Sequence, residues 1–92
     1  MSDARQVTIT IINKLGLHAR AASKLVSTAS RFASRIDLVK GGQRADAKSI
    51  MSVLMLAASQ GTVIELHGTG QDVDEALEAI ITLINNRFDE AE

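Results

Sequence analysis

The hydrophobic period of this chain changes repeatedly between two and about 3.6, and a backbone obliged to follow both must combine strands with helices. Residues 7–12 set Val7, Ile9 and Ile11 against Thr8, Thr10 and Ile12, the pattern of a β-branched strand with one strongly apolar face. Gly16 breaks it. Beyond Ala19, the residues Ala22, Leu25, Val26, Ala29 and Ala33 recur at helical spacing with Ser23, Lys24, Ser27 and Ser30 between them. That spacing predicts an amphipathic helix to about residue 32, whose short side chains suit close packing on a sheet.

Alternation returns at residues 35–40, where Ile36 and Leu38 oppose Asp37 and Val39, and Gly41-Gly42 has the freedom for a hairpin into a short strand over 44–47. Ser49 is a preferred cap for a second helix through Ile50, Met51, Val53, Leu54, Met55 and Leu56, closed by Ser59-Gln60-Gly61. Residues 62–69 read as a strand with Ile64 and Leu66 on one face and Val63, Glu65 and His67 on the other. Asp72 and Glu75 have the spacing of a capping box, and Leu77, Ile80, Ile81, Ile84 and Phe88 form the buried stripe of the helix that follows.

The order β-α-β-β-α-β-α implies an α+β layer fold, with helices on one face of a mainly antiparallel sheet and the other face solvated. Residues 1–92 are expected to form a single domain, because Pro is absent and no glycine tract separates the periodic segments. Surface scaling for 9.8 kDa gives about 5,200 Å² exposed after folding.

Composition removes several function classes. With no Cys there are no disulfides, thiolate metal sites or cysteine nucleophiles. A net charge of -1 and two aromatics, Phe32 and Phe88, leave neither the electrostatic footprint nor the stacking platform of a nucleic-acid binder. The longest apolar run, residues 53–58, is far short of a bilayer span, and residues 1–5 lack a basic-then-apolar leader, so no membrane insertion and a cytoplasmic location are expected. No metal-ligand spacing, Walker glycine pattern or nucleophilic triad is present, and neither a metal nor a cofactor is expected.

His18 is the candidate for chemistry. It directly precedes the first predicted helix, where the amides of Ala19, Arg20 and Ala21 lack intrahelical partners and attract anions, and Arg20 adds a guanidinium. An imidazole there can attack a phosphoryl group, and the positive potential disfavours a second proton on the ring. The competing reading of the spacing is a solvent-facing residue at a helix start, which is the commoner occurrence. His67, beside Glu65, reads as a solvated sheet residue, and Asp89, Glu90 and Glu92 as a solvated acidic tail.

Ser49 is first of all a helix cap, but a phosphate added there meets a helix N-terminus, so its charge acts on a partner and leaves the fold intact. Leu17, Ile50 and Met51 are candidates for a small apolar docking patch; the alternative for Ile50 and Met51 is that both are core, and one inward with the other outward is the favoured compromise.

Two segments carry a resemblance. Asn13-Lys14-Leu15-Gly16-Leu17-His18-Ala19-Arg20-Ala21-Ala22 and Lys48-Ser49-Ile50-Met51-Ser52-Val53-Leu54-Met55-Leu56-Ala57 closely resemble the HPr family of phosphocarrier proteins of the phosphoenolpyruvate-dependent phosphotransferase system. The ending Asn85-Asn86-Arg87-Phe88-Asp89 is similar to that of the family's nitrogen-branch carriers. The resemblance implies an open-faced β-sandwich of four antiparallel strands covered by three helices. It implies that His18 accepts a phosphoryl group on Nδ1 from enzyme I and passes it to an enzyme IIA-type acceptor, with Arg20 steadying the phosphoryl oxygens. Such a carrier is a covalent intermediate between enzymes, not a turnover catalyst, and is expected to be a monomer.

The resemblance further implies a regulatory serine at Ser49, modified in some bacteria by an HPr kinase/phosphorylase, and partner docking at Ile50 and Met51. Leu17, Lys24 and Lys48 are expected to join that surface, with Lys14, Arg20, Lys24 and Lys48 gathered on the His18 face and Asp72, Asp74, Glu75 and the acidic tail elsewhere. Many family members have Pro after the arginine where this chain has Ala21, which removes a preset backbone angle and restores an amide in the first turn. The alternative function is a regulatory binding domain acting through Leu17, Ile50 and Met51 with His18 silent, which the presence of the histidine disfavours.

Overall fold

Period-two apolar residues line up on one sheet face in a computed structural model of the chain, which describes residues 3–92. The N-terminal reading that rests on Met1 and Ser2 lies outside them. Four strands, β1 (Ala4–Thr10), β2 (Arg35–Lys40), β3 (Gln43–Asp46) and β4 (Val63–Thr69), form one antiparallel sheet in the order β1-β4-β2-β3. Three helices, α1 (Ala19–Ala29), α2 (Ile50–Met55) and α3 (Val73–Asn85), cover it, as the element order implied. The surface left exposed, 5105 Å², is close to the scaling value.

The register places Leu38 opposite Leu66 and Val7 opposite Leu66 from the other side, so the inward residues of β2, β4 and β1 form one continuous floor. Ile36, Leu38, Ile64 and Leu66 are fully or almost fully buried there, under Leu25 of α1 and Val73, Ile80 and Ile84 of α3. Gly68 lets α3 lie directly on the sheet, since a Cβ in its place would stand 2.6 Å from Val73 Cγ2 and 2.9 Å from Ile36 Cδ1. Asp37 points to the other face and is nevertheless buried, because the Arg44 guanidinium at 2.8 Å and Arg35 at 3.3 Å close over it.

Three local expectations are corrected. Helix α1 ends at Ala29, not near residue 32, and Ala33 is exposed: its amide donates to Asp72 Oδ2 at 3.0 Å instead of continuing the helix. Asp72 caps nothing in its own helix, so the expected capping box does not form. Its carboxylate turns to the α1–β2 loop, accepting from the Ser34 amide at 2.9 Å and the Ser34 hydroxyl at 2.5 Å. The Ser34 hydroxyl, then the Ala33 amide, hold its carboxyl below the ordinary aspartate value.

Phe88 is fully buried, but it does not extend the α3 stripe. The helix stops at Asn85, and Arg87, Phe88 and Asp89 all take left-handed angles, φ 57, 55 and 62°. That conformation costs roughly 1–2 kcal/mol per non-glycine residue, against which the burial of a whole aromatic ring stands. The turn directs residues after 88 back across the start of α1.

Candidate functional site

The loop from Ile11 to His18 is held as tightly as a strand. Ile11 is buried and donates its amide to Thr62 O at 2.9 Å, and Leu17 donates to Ala58 O at 2.8 Å. Between them Gly16 has φ +65°, and a Cβ there would stand 2.5 Å from Ala58 O. Only glycine fits a left-handed residue pressed against another backbone. Asn13, fully buried, spans the turn by donating from Nδ2 to Gly16 O at 2.8 Å.

His18 leaves this loop in extended conformation as the N-cap of α1, its carbonyl accepting from Ala22 at 2.8 Å. Its ring caps the same helix: Nδ1 accepts from the Arg20 amide at 3.3 Å. The other nitrogen, Nε2, lies 2.5 Å from Glu90 Oε2. Glu90 Oε1 in turn accepts from Asn13 Nδ2 at 3.0 Å, so one buried amide braces both the loop and the carboxylate. Burial acts to raise the Glu90 carboxyl, but the Asn13 and His18 hydrogen bonds and the charges of His18 and Arg20 outweigh it and hold it below the ordinary glutamate value.

The acidic tail is therefore not remote from His18, which corrects the reading of its position; Asp89 and Glu92 stay solvated, with side chains 66% and 70% exposed, and Glu90 alone is shielded, at 12%. Lys24 Nζ donates to Phe88 O at 2.7 Å, and the Lys14 amide donates to Glu92 O at 2.5 Å, with Lys14 Nζ 3.1 Å from the Glu92 carboxylate. His18, Arg20, Lys24, Lys14, Leu15 and Glu90 line one shallow open cleft. Sequence reasoning missed Asn13 as a brace and Glu90 as a partner; the lone Asn after an apolar run was the one available signal.

Other expected site residues are dispersed. Leu17 is only 4% exposed and belongs to the core, so it contributes nothing to a surface patch. Ile50 and Met51 both face outward, at 39% and 65%, where one is expected inward; the exposed apolar residue that lines the cleft with His18 is Leu15. Lys48 does not reach the His18 face. Its Nζ donates to Phe32 O at 2.8 Å, beyond the far end of α1. Ser49 caps α2 as expected, accepting from the Ser52 amide at 3.4 Å and donating to Ser52 Oγ at 3.0 Å. His67 is engaged by Glu65 at 2.8 Å and Arg44 at 3.4 Å.

Among the described residues no group of His, Asp and Glu has the arrangement to hold a metal, and no helix is long and apolar enough to cross a membrane. What the cleft offers is an imidazole with one nitrogen directed at a helix start, a neighbouring guanidinium, and a carboxylate behind the ring.

Comparison with known proteins agrees with this arrangement. The family model described as "PTS HPr component phosphorylation site" matches residues 5–86. The phosphocarrier protein HPr of Pseudomonas aeruginosa is 55% identical over 85 residues, 91% of this chain and 94% of that protein. The phosphocarrier protein NPr of Shewanella violacea is 52% identical over 83 residues, 90% of this chain and 91% of that protein. The crystal structure of HPr-C-His from Thermoanaerobacter tengcongensis superposes with a TM-score of 0.92 at 45% identity, covering 96% of this chain and 99% of that one.

Proposed function

Because the chain belongs to the HPr family, the phosphocarrier proteins of the phosphotransferase system, we propose that His18 is the residue that carries the phosphoryl group. The observation that supports this most directly is the division of labour on the ring: Nδ1 faces the helix start while Nε2 is occupied by Glu90.

On this reading the Nδ1 lone pair attacks phosphorus, the Nδ1–P bond forms as the bond to the donor's histidine breaks, and the transferred oxygens meet Arg20 and the first amides of α1. Ala21, in place of the common Pro, adds a backbone amide to the first turn of α1, although the residue itself is buried. Enzyme I is the proposed donor and an enzyme IIA-type protein the acceptor; handing on reverses the same step. The partners supply the rest of each active site, so a shallow cleft on a small domain suffices, and the protein acts in the cytoplasm as a single copy and a single domain. Ile50 and Met51 are proposed to dock both partners, with Lys24 at the edge of the cleft. Ser49 is proposed as a regulatory phosphorylation site where an HPr kinase/phosphorylase is present. The burial of Leu17 weakens the alternative of a silent histidine with an apolar patch of three residues.

Incubation with enzyme I and labelled phosphoenolpyruvate tests the proposal. Acid-labile label is expected on the wild-type chain and none on His18→Ala. Acid-stable label, or label retained in the variant, overturns it.

A further inference from the structure

We propose that Glu90 is a positioning residue for phosphoryl transfer: its carboxylate holds the proton of His18 on Nε2 and balances the charge the ring gains when Nδ1 bonds to phosphorus. The inference rests on the assignment of His18 as the phosphoryl acceptor.

The two partners of the ring fix where its proton sits. The Arg20 amide only donates, so the Nδ1 it approaches at 3.3 Å carries a lone pair. An ionised carboxylate only accepts, so the Nε2 it meets at 2.5 Å carries the proton. Two contacts on opposite sides of one ring thus select one tautomer, the one whose free lone pair faces the anion-binding end of α1.

Transfer also changes the charge of the ring. When the neutral ring attacks, the Nδ1–P bond forms, the donor's bond to phosphorus breaks and the Nε2 proton stays in place, so the imidazole becomes a phosphorylated imidazolium. Positive charge appears at Nε2 as well as Nδ1, and a charge-assisted hydrogen bond from Nε2–H to a carboxylate strengthens as it does. The other charged groups lining the cleft are Lys14, Arg20, Lys24, Asp89 and Glu92; none of these five contacts Glu90 by hydrogen bond or ion pair, and His18 does.

Glu90 is also held ready. Its side chain is 12% exposed, its second oxygen is fixed by fully buried Asn13 at 3.0 Å, and the left-handed turn with Lys24 on Phe88 O delivers it to the ring. A carboxylate braced by a buried amide that also fixes the nucleophile's own loop is set by the fold.

The test uses the full chain and two variants, Glu90→Gln, which keeps the size and the Asn13 contact without the charge, and Glu90→Asp, which keeps the charge at shorter reach. Two quantities are read: the ¹⁵N-edited NMR signal of His18 Nε2–H, and the initial rate of phosphoryl acceptance from enzyme I. The expected wild-type signal is downfield and protected from exchange at neutral pH. Glu90→Gln moves it upfield and slows acceptance about tenfold or more, the size of a lost charge-assisted hydrogen bond, with the amide spectrum of the sheet unchanged. Glu90→Asp recovers part of the rate. An Nε2–H signal and a rate unchanged in Glu90→Gln, or equal losses in both variants, overturn the proposal while wild-type labelling at His18 stands. Absence of label on wild-type His18 overturns the acceptor assignment itself.

Discussion

The Asp72 carboxylate and the Ser34 hydroxyl meet at 2.5 Å and tie the start of α3 to the loop entering β2. Asp72→Asn retains an acceptor but gives up the charge that three donors converge on, and it is expected to lower the urea midpoint at neutral pH. The native carboxyl titrates below its unfolded value of 3.8, so the contribution is full above that pH and is lost as pH falls through the lower native value. The gap between wild type and variant should therefore close below about pH 3.8, which urea titrations at a series of pH values will measure.

Gly16→Ala should be among the most damaging single methyl additions. The new Cβ would stand 2.5 Å from Ala58 O at φ +65°, and the neighbour is backbone that pairs with Leu17. A loss of roughly 1–3 kcal/mol is expected in equilibrium unfolding, with slower phosphoryl acceptance because the loop that aims His18 is displaced.

Phe88→Ala empties a fully buried site and should cost about 3–5 kcal/mol, and Phe88→Leu clearly less. Both loosen the turn that carries Glu90, so the Nε2–H signal of His18 should respond in Phe88→Ala even where the sheet remains folded. Calorimetric or urea unfolding beside the NMR spectrum checks both parts.

Ser49→Asp should fold as well as the wild type, because aspartate is itself a good N-cap and its charge suits the helix start. Phosphoryl acceptance from enzyme I should slow, since the new charge stands beside outward-facing Ile50 and Met51. An unchanged rate removes the regulatory role.

What was legible in the sequence was what local spacing determines. Strand β2 occupies residues 35–40 as its alternation predicted, and Ser49 caps the helix it precedes. Asp72 was misread because a carboxylate three residues before a glutamate has the spacing of a capping box whether or not it turns away to another loop. Phe88 lies four residues after Ile84 and so mimics one more helical turn, whereas a left-handed reversal is what buries it. Leu17 looked exposed because it sits in a loop, and only the pairing of its amide with Ala58 draws it inward. At the site, His18 and Arg20 lie two residues apart and are legible together; Glu90 is 72 residues from His18, and no period or motif connects them.

The hydrogen bond from the Arg20 amide to Nδ1 makes the resting carrier a closed state instead of a vacant one. On the proposed assignment of His18, the lone pair that stops the first turn of α1 is the one that reaches phosphorus, and it cannot serve both ends at once. Loading therefore trades one plug for another, an imidazole nitrogen for phosphoryl oxygens, and unloading returns the ring to the helix. Give and take at either partner then differ by little more than which atom seals the helix, a suitable poise for a courier that must release its cargo as readily as it accepts it.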